Sequence, residues 1–146
     1  MNRILVIIPT YNEAENITKI IPEVLANSNG EDVFNVLVVD DNSPDGTANL
    51  VEAMNNPDVF VLRREKKSGL GTAYVAGFRY AIERNYDCVF EMDADFSHDP
   101  KYLMDFIVKI KEGYDLVIGS RYIHGVSVLN WPIGRLILSY MASVYT

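Results

Sequence analysis

The sequence predicts an α/β fold, a three-layer sandwich with a mostly parallel central sheet, and three observations support this prediction. Short apolar runs rich in β-branched residues alternate with segments of helical spacing along the chain. These runs are continuous, which is typical of strands buried on both faces of a parallel sheet. The chain has 146 residues, 49% of them hydrophobic, as in one ordinary globular domain. We therefore expect a single domain over residues 1–146, built of βαβ units with right-handed crossovers.

Five apolar runs are the candidate strands, and the segments between them are the candidate helices. The runs cover residues 4–8, 36–39, 59–62, 88–92 and 116–118. We expect Asn12 to cap the first helix, with Glu15 three residues later as in a capping box. Pro100 suits the first position of the fourth helix, and Gly113 suits its end. The apolar positions with helical spacing are Ile17, Ile20, Ile21, Val24 and Leu25, then Ala48, Val51 and Met54, then Tyr74, Ala76, Gly77, Tyr80 and Ala81, and finally Tyr102, Leu103, Phe106, Ile107 and Ile110.

Charge and cysteine content exclude several classes of protein. The formal net charge is -7, which argues against non-specific nucleic-acid binding. The lone Cys88 excludes an internal disulfide and a multi-cysteine zinc site, fits the reducing cytoplasm, and is interpreted as inert core. The isolated His98 and His124 are more typical of surface or capping residues than of ligands.

The polar clusters follow the candidate strands, where ligands bind in open α/β sheets. Asp93 and Asp95 come directly after the fourth apolar run. Two such carboxylates repel each other unless a cation lies between them, and Mg²⁺ or Mn²⁺ completed by substrate phosphates would remove that conflict. The alternative is that Asp95 or Asp99 caps the helix that begins near Pro100.

Two further clusters are candidates for nucleotide contacts. Asp40 and Asp41 end the second run and can accept hydrogen bonds from a ribose or a base, whereas residues 43–47 are better interpreted as a turn. Lys66 and Gly69 belong to a basic, glycine-containing loop before a helix, which suits an anion. A solvated basic loop is the equal alternative, because neither a dinucleotide fingerprint nor a Walker A loop is present.

In combination, these clusters resemble family 2 glycosyltransferases of the GT-A fold, in the polyprenol (dolichol) phosphate mannose synthase branch. The matching segments are Ile-Pro-Thr-Tyr-Asn-Glu (8–13), Val-Val-Asp-Asp-Asn-Ser-Pro-Asp-Gly-Thr (38–47), Gly-Leu-Gly-Thr-Ala (69–73), Asp-Ala-Asp (93–95), Ser-His-Asp-Pro (97–100) and Gly-Ser-Arg-Tyr (119–122). The resemblance runs from residue 4 to about residue 140. The ordered combination is specific, although no single segment is.

The resemblance implies roles for individual residues. Asp40 or Asp41 would hold the base or ribose, and Arg121 would lie on the phosphate side. The nucleotide-sugar pocket would be lined by Pro9, Tyr11, Glu13, Lys66, Gly69, Ala94 and Arg135, and the metal would be held by Asp93, Asp95 and Ser97. Asp93, Asp95 and Arg121 would carry the catalysis.

The implied reaction transfers mannose from GDP-mannose to a polyprenol phosphate, with inversion and with Mg²⁺ or Mn²⁺. A UDP-sugar donor (UDP-glucose or UDP-N-acetylglucosamine) and a non-catalytic nucleotide-sugar-binding fragment are the alternatives. Relatives are expected to continue past residue 146 with an acceptor-side portion that this chain lacks. We expect a cytoplasmic protein in peripheral contact with the inner face of the membrane. An apolar stripe over residues 133–144 suits a membrane-surface helix or a packed helix equally.

Overall fold

The computed structural model describes residues 2–119 of the chain, and this part is built around one sheet of four parallel strands. The strands are β1 (Asn2–Thr10), β2 (Asp32–Asp40), β3 (Val59–Arg63) and β4 (Cys88–Glu91), in the spatial order β3-β2-β1-β4. The helices are α1 (Ala14–Leu25), α2 (Thr47–Ala53), α3 (Leu70–Glu83) and α4 (Leu103–Lys111), the last preceded by a 3₁₀ turn at Pro100–Tyr102. Four of the five predicted strands and all four predicted helices are therefore confirmed.

The two longest strands occupy the middle of the sheet because their residues are the most continuously apolar. β1 and β2 pair in register from Asn2 with Asp32 to Thr10 with Asp40. Residues 4–8 of β1 and 36–39 of β2 are completely buried, whereas the edge strands β3 and β4 are half-buried. This is the pattern expected of a parallel sheet covered on both faces.

Alternate residues of β1 enter two separate cores. Ile4, Val6 and Ile8 pack with α1, α2 and α4, while Leu5 and Ile7 pack with α3. Because successive side chains of a strand point to opposite faces, this division puts helices on both sides of the sheet. The predicted three-layer sandwich is confirmed.

The α3 layer approaches the sheet closely at one glycine. A Cβ atom added to Gly77 would lie 2.6 Å from Ile7 Cγ2 and 2.7 Å from Ile7 Cδ1. Only a residue without a side chain fits there, so Gly77 sets the distance between α3 and β1. The same glycine belonged to the predicted apolar stripe of this helix.

The fifth predicted strand, over residues 116–118, is wrong. Residues 116–119 have no regular secondary structure, and Leu116 and Ile118 are 75% and 77% exposed. A strand forms only where a neighbour accepts and donates its backbone hydrogen bonds, and none of the strands within residues 2–119 pairs with this segment. Val108 ends one compact unit and Lys109 begins a second, so this segment lies in a different unit from the sheet. That the whole chain acts as one domain stays a prediction.

None of the helices in the described part of the chain is long and apolar enough to cross a lipid bilayer.

Candidate functional site

The polar segments that follow the four strands meet at one edge of the sheet, as predicted. Because all four strands are parallel, their carboxyl ends lie on the same side. Hydrogen bonds join the loops directly: Asn12 N–H donates to Ser43 Oγ at 3.1 Å, and Ser68 N–H donates to Asp41 Oδ2 at 3.2 Å. The loops after β1, β2 and β3 therefore form one connected surface.

Asp40 is committed to holding the loop after β2. It is 1% exposed, and its carboxylate accepts hydrogen bonds from the Thr10 hydroxyl at 2.9 Å and from the Ser43 N–H at 2.9 Å. The Ser43 hydroxyl also donates to Asp40 Oδ1 at 2.5 Å. Both carboxylate oxygens therefore have partners within the chain, and the buried Asp40 fixes the conformation of the loop that forms the surface.

Asp41 lies in a buried ion pair with Arg64, a partner that the sequence did not indicate. Arg64 Nε is 3.2 Å from Asp41 Oδ1, and the two side chains are 15% and 8% exposed. Arg64 Nη2 donates to the Thr72 hydroxyl at 2.6 Å. Within residues 2–119, Asp41 Oδ1 and Arg64 Nη1 are buried without a well-formed hydrogen bond. The ion pair therefore leaves one acceptor and one donor without the well-formed hydrogen bonds that buried polar atoms normally have.

The turn over residues 43–47 is confirmed, and it also determines where α1 begins. Asp45 accepts from the Thr47 N–H at 3.0 Å, from the Thr47 hydroxyl at 2.6 Å and from the Ala14 N–H at 3.0 Å. Burial alone would raise the pKa of Asp45, but the hydrogen bonds from Thr47 and Ala14 outweigh it and lower that pKa. The carboxylate therefore supplies acceptors to both helix starts.

The predicted capping box at the start of α1 is wrong. Glu13, which precedes the helix, makes no side-chain cap of its own, and Asn12 adopts a left-handed backbone with φ 61°. The Ala14 N–H is satisfied by Asp45 from another loop, and the Glu13 N–H by the Thr47 hydroxyl at 3.1 Å. A tertiary contact has replaced the local one that the sequence pattern suggested.

The remaining candidates from the first and third loops surround this surface. Tyr11 is 39% exposed, and Lys67 Nζ lies 4.1 Å from the centre of its ring. Pro9 is half-buried in β1, whereas Lys66 and Gly69 are exposed in the loop before α3. Gly69 has φ 94°, a left-handed backbone that favours glycine.

The carboxylates after β4 are accessible, unlike those after β2. The Asp93 side chain is 38% exposed; its Oδ1 accepts from the Tyr74 hydroxyl at 3.4 Å, and its Oδ2 lies 3.5 Å from Ser97 Oγ. His98 Nδ1 accepts from the Asp93 N–H at 3.2 Å, so this histidine holds the loop backbone, as expected of a capping residue. Ala94 is buried beneath the loop at 3% exposure.

Asp95 is exposed and held in its ionised form. Its Oδ1 accepts from the Ser97 N–H at 2.9 Å. Partial burial opposes ionisation, but the Ser97 hydrogen bonds and the nearby His98 lower the pKa of Asp95. The alternative capping role belongs to Asp99, whose Oδ1 accepts from the Lys101 N–H at 3.0 Å at the start of the 3₁₀ turn.

These residues suit a divalent cation that takes its other ligands from a bound substrate. Asp93, Asp95 and Ser97 offer hard oxygen atoms, which Mg²⁺ and Mn²⁺ prefer. Across residues 2–119, no three His, Cys, Asp or Glu side chains are close enough to hold a metal ion without other ligands. The donor set therefore fits a cation bound through one or two carboxylates and phosphate oxygens.

Two residues of the site were not singled out by sequence reasoning. Tyr74 was assigned to the apolar stripe of α3, yet its hydroxyl donates to Asp93. Arg64, which pairs with Asp41, was not among the candidate residues. The hydroxyl group of Tyr74, within the apolar stripe of α3, was the only sign in the sequence that this residue has a polar partner. No local signal connects Arg64 to Asp41, because that contact depends on strand order. The two predicted arginines, Arg121 and Arg135, lie outside the described residues.

The comparison with protein families decides the family. The family model described as Glycosyl transferase family 2 matches residues 5–145. The chain belongs to glycosyltransferase family 2.

Two curated relatives match nearly the whole of this chain. It is 48% identical to the polyprenol monophosphomannose synthase of Mycolicibacterium smegmatis, over 99% of this chain and 54% of the relative. It is 46% identical to the undecaprenyl-phosphate mannosyltransferase of Micrococcus luteus, over 98% of this chain and 58% of the relative. The chain thus spans little more than half the length of these relatives.

A solved structure supports the fold assignment. The crystal structure of S. aureus TarS 1–349 in complex with UDP-GlcNAc has a TM-score of 0.54 and 29% sequence identity. The match covers 77% of this chain and 32% of that one. The predicted α/β glycosyltransferase fold agrees with this likeness.

Proposed function

We propose that this chain is the donor-binding part of an enzyme that transfers mannose from GDP-mannose to a polyprenol phosphate, with inversion of the anomeric carbon. The observation that carries the proposal is the position of Asp93 and Asp95 on the same sheet edge as the Asp41–Arg64 pair. Asp93 and Asp95 suit the cation and the diphosphate, and the Asp41–Arg64 pair suits the base. The names of the two mannosyl-transferring relatives support the sugar and the lipid phosphate.

The Asp41–Arg64 pair is the proposed contact for the base. Among the described residues, Asp41 Oδ1 has the Arg64 Nε group at 3.2 Å but no well-formed hydrogen bond, and Arg64 Nη1 has no acceptor. Guanine presents an N–H next to a carbonyl, so a single base edge would supply both missing partners. Because Ser68 N–H covers Asp41 Oδ2, the loop before α3 would shift to admit the base. Tyr11, Pro9 and Glu13 would line the same pocket.

Asp93, Asp95 and Ser97 are the proposed holders of Mg²⁺ or Mn²⁺ at the diphosphate. When bound, such a cation neutralises the negative charge that develops on the leaving nucleoside diphosphate. Asp95, whose pKa is lowered, presents a charged carboxylate at neutral pH. Arg121, assigned to the phosphate side by the resemblance, would add a positive charge to the same group.

The proposed acceptor needs little help from the protein. A phosphate monoester is already largely anionic at pH 7, since its second pKa is about 6. A strong general base is therefore not required, whereas a sugar hydroxyl would need a carboxylate such as Asp93. A polyprenol acceptor also supports our proposal that the protein works in the cytoplasm, at the inner face of the membrane.

A UDP-sugar donor is the second candidate. The likeness to TarS, solved with UDP-GlcNAc, favours it, and uracil also presents an N–H next to a carbonyl. The donor–acceptor pair of Asp41 and Arg64 thus suits either base. A fragment that binds the donor without transferring the sugar would also share this site.

Titration calorimetry with GDP-mannose and UDP-GlcNAc, each with and without Mn²⁺, tests the proposal. We expect GDP-mannose to bind more tightly, and its Mn²⁺-dependent affinity to fall by about tenfold or more in Asp95→Asn. Glu23→Gln is the matched control, since it removes one exposed carboxylate from the last turns of α1, at the opposite edge of the sheet. Sugar transfer to a short polyprenol phosphate then separates an enzyme from a binding fragment.

Three outcomes would count against the proposal. Equal GDP-mannose affinity with and without Mn²⁺, unaltered in Asp95→Asn, would overturn the metal role. Preference for UDP-GlcNAc would replace the donor. Tight binding without any transfer would leave a nucleotide-sugar-binding fragment.

A further inference from the structure

We propose that Tyr74 is a positioning residue that fixes the orientation of the Asp93 carboxylate toward the divalent cation. This inference rests on the proposed function, because it assigns Asp93 to the metal and diphosphate. Tyr74 lies on α3, the layer opposite α1, and crosses to the end of β4. It would act through Asp93 and touch neither the cation nor the substrate.

The contact holds one oxygen of the carboxylate. The Tyr74 hydroxyl donates to Asp93 Oδ1 at 3.4 Å, which leaves Oδ2 on the side of Ser97 Oγ at 3.5 Å and His98 Nε2 at 3.9 Å. Two oxygens with different neighbours give the carboxylate one preferred rotation. Such outer partners orient the groups that bind a metal and raise its affinity.

Tyr74 is suited to remain a donor. A phenol O–H is a hydrogen-bond donor, and the Tyr74 ring packs in the core on the α3 face of the sheet. A half-buried ring in a packed layer has few alternative rotamers.

Ile7 of β1 contacts both the helix that carries Tyr74 and the loop that carries Asp93. Gly77, one turn after Tyr74, brings α3 against Ile7, where a Cβ would lie 2.6 Å from the isoleucine side chain. The N–H of Met92, next to Asp93, donates to the Ile7 carbonyl at 3.1 Å. Ile7 thus anchors the helix that carries the tyrosine and the loop that carries the aspartate, so the reach between them is fixed by the core.

Tyr74→Phe removes the hydroxyl and keeps the packed ring. Tyr86→Phe is the matched control, because the Tyr86 hydroxyl donates to Asn35 Oδ1 at 3.1 Å from another half-buried ring, before β4 at the other end of the sheet. The full 146-residue chain is used, with GDP and Mn²⁺ as probes. Mn²⁺ affinity is measured by electron paramagnetic resonance at saturating GDP, GDP affinity by calorimetry in EDTA, and the fold by thermal melting.

We expect Tyr74→Phe to weaken Mn²⁺ binding by about tenfold, while metal-free GDP affinity stays unchanged. Excess Mn²⁺ should restore full occupancy, and Tyr86→Phe should bind Mn²⁺ as the wild type does. Equal Mn²⁺ affinity in wild type and Tyr74→Phe would overturn the inference and leave the proposed function standing. Parallel losses of Mn²⁺ affinity and melting temperature in both variants would reduce Tyr74 to a structural role. A wild type that binds no Mn²⁺ with GDP would overturn the proposed metal site itself.

Discussion

Two pairs of aspartates lie at the carboxyl ends of two parallel strands of this sheet, and one pair is buried whereas the other is accessible. After β2, Asp40 and Asp41 are 1% and 6% exposed and are paired with hydroxyl, N–H and guanidinium groups of the chain. After β4, Asp93 and Asp95 are accessible, and their carboxylates accept hydrogen bonds from Tyr74 and Ser97 at the protein surface. A carboxylate at a strand end can thus either hold neighbouring loops together or remain accessible at the surface.

Burial explains the difference between the two pairs. β2 lies inside the sheet, so the loop that follows it is covered by the loops after β1 and β3. β4 lies at an edge of the described sheet and has one strand neighbour, β1. A buried carboxylate must find donors within the chain, whereas an accessible one is solvated until a ligand replaces the water. Position in the strand order therefore decides which pair is available.

The largest expected effect comes from removing the buried carboxylate. Asp40→Ala should lower the free energy of unfolding by about 3 kcal/mol, because it leaves the Ser43 N–H and the Thr10 hydroxyl without their acceptor. Urea denaturation measures this loss. Asp95→Ala, the accessible counterpart, should cost less than about 1 kcal/mol. Similar losses in the two variants would erase the distinction between the pairs.

A smaller effect is expected at the glycine that sets the position of α3. Gly77→Ala should cost about 2 kcal/mol, since the new methyl group meets the buried Ile7 side chain. It should also weaken Mn²⁺ binding in the presence of GDP, because α3 carries the Tyr74 contact to the accessible pair. Urea denaturation and Mn²⁺ titration check the two effects.

Gly71→Ala is the control for that substitution, because a Cβ at Gly71 meets nothing within 4 Å. It should leave stability unchanged or raise it by up to about 1 kcal/mol, since alanine favours the helix. A destabilisation equal to that of Gly77→Ala would mean that close packing on Ile7 is not the cause.

The smallest expected effect is a pH dependence at Asp45, an exposed carboxylate that belongs structurally to the β2 end. Its pKa is lower in the folded chain than in the unfolded one, so its stabilising contribution is full above about pH 4 and is lost as the pH falls through the folded value. Between about pH 5 and pH 3, the wild type should lose more stability than Asp45→Asn, by less than about 1 kcal/mol. Denaturation at several pH values measures this, and parallel curves for the two proteins would contradict it.

Much of the site was predictable because its residues stand immediately after apolar runs. The positions of Asp93 and Asp95 at a strand end, and of Asp99 as a cap, depend on local sequence, and the structure agrees. The cap of α1 was not predictable, since its acceptor is Asp45, thirty-one residues away. The predicted strand at residues 116–118 also depended on distant residues. An apolar run becomes a strand only when a neighbouring strand pairs with it, and the run itself does not show whether one does.

Local sequence was enough to place four strands and four helices, to indicate that the strands are parallel, and to identify the polar loops that follow them. Periodicity and turn chemistry act over a few residues, so these features are visible along the chain. The burial of Asp40 and Asp41, the pairing of Arg64 with Asp41, and the contact from Tyr74 to Asp93 became visible only in the folded chain. Those outcomes depend on strand order and on the close approach of α3 at Gly77. Contacts between distant segments are set by packing in three dimensions, which no local pattern encodes.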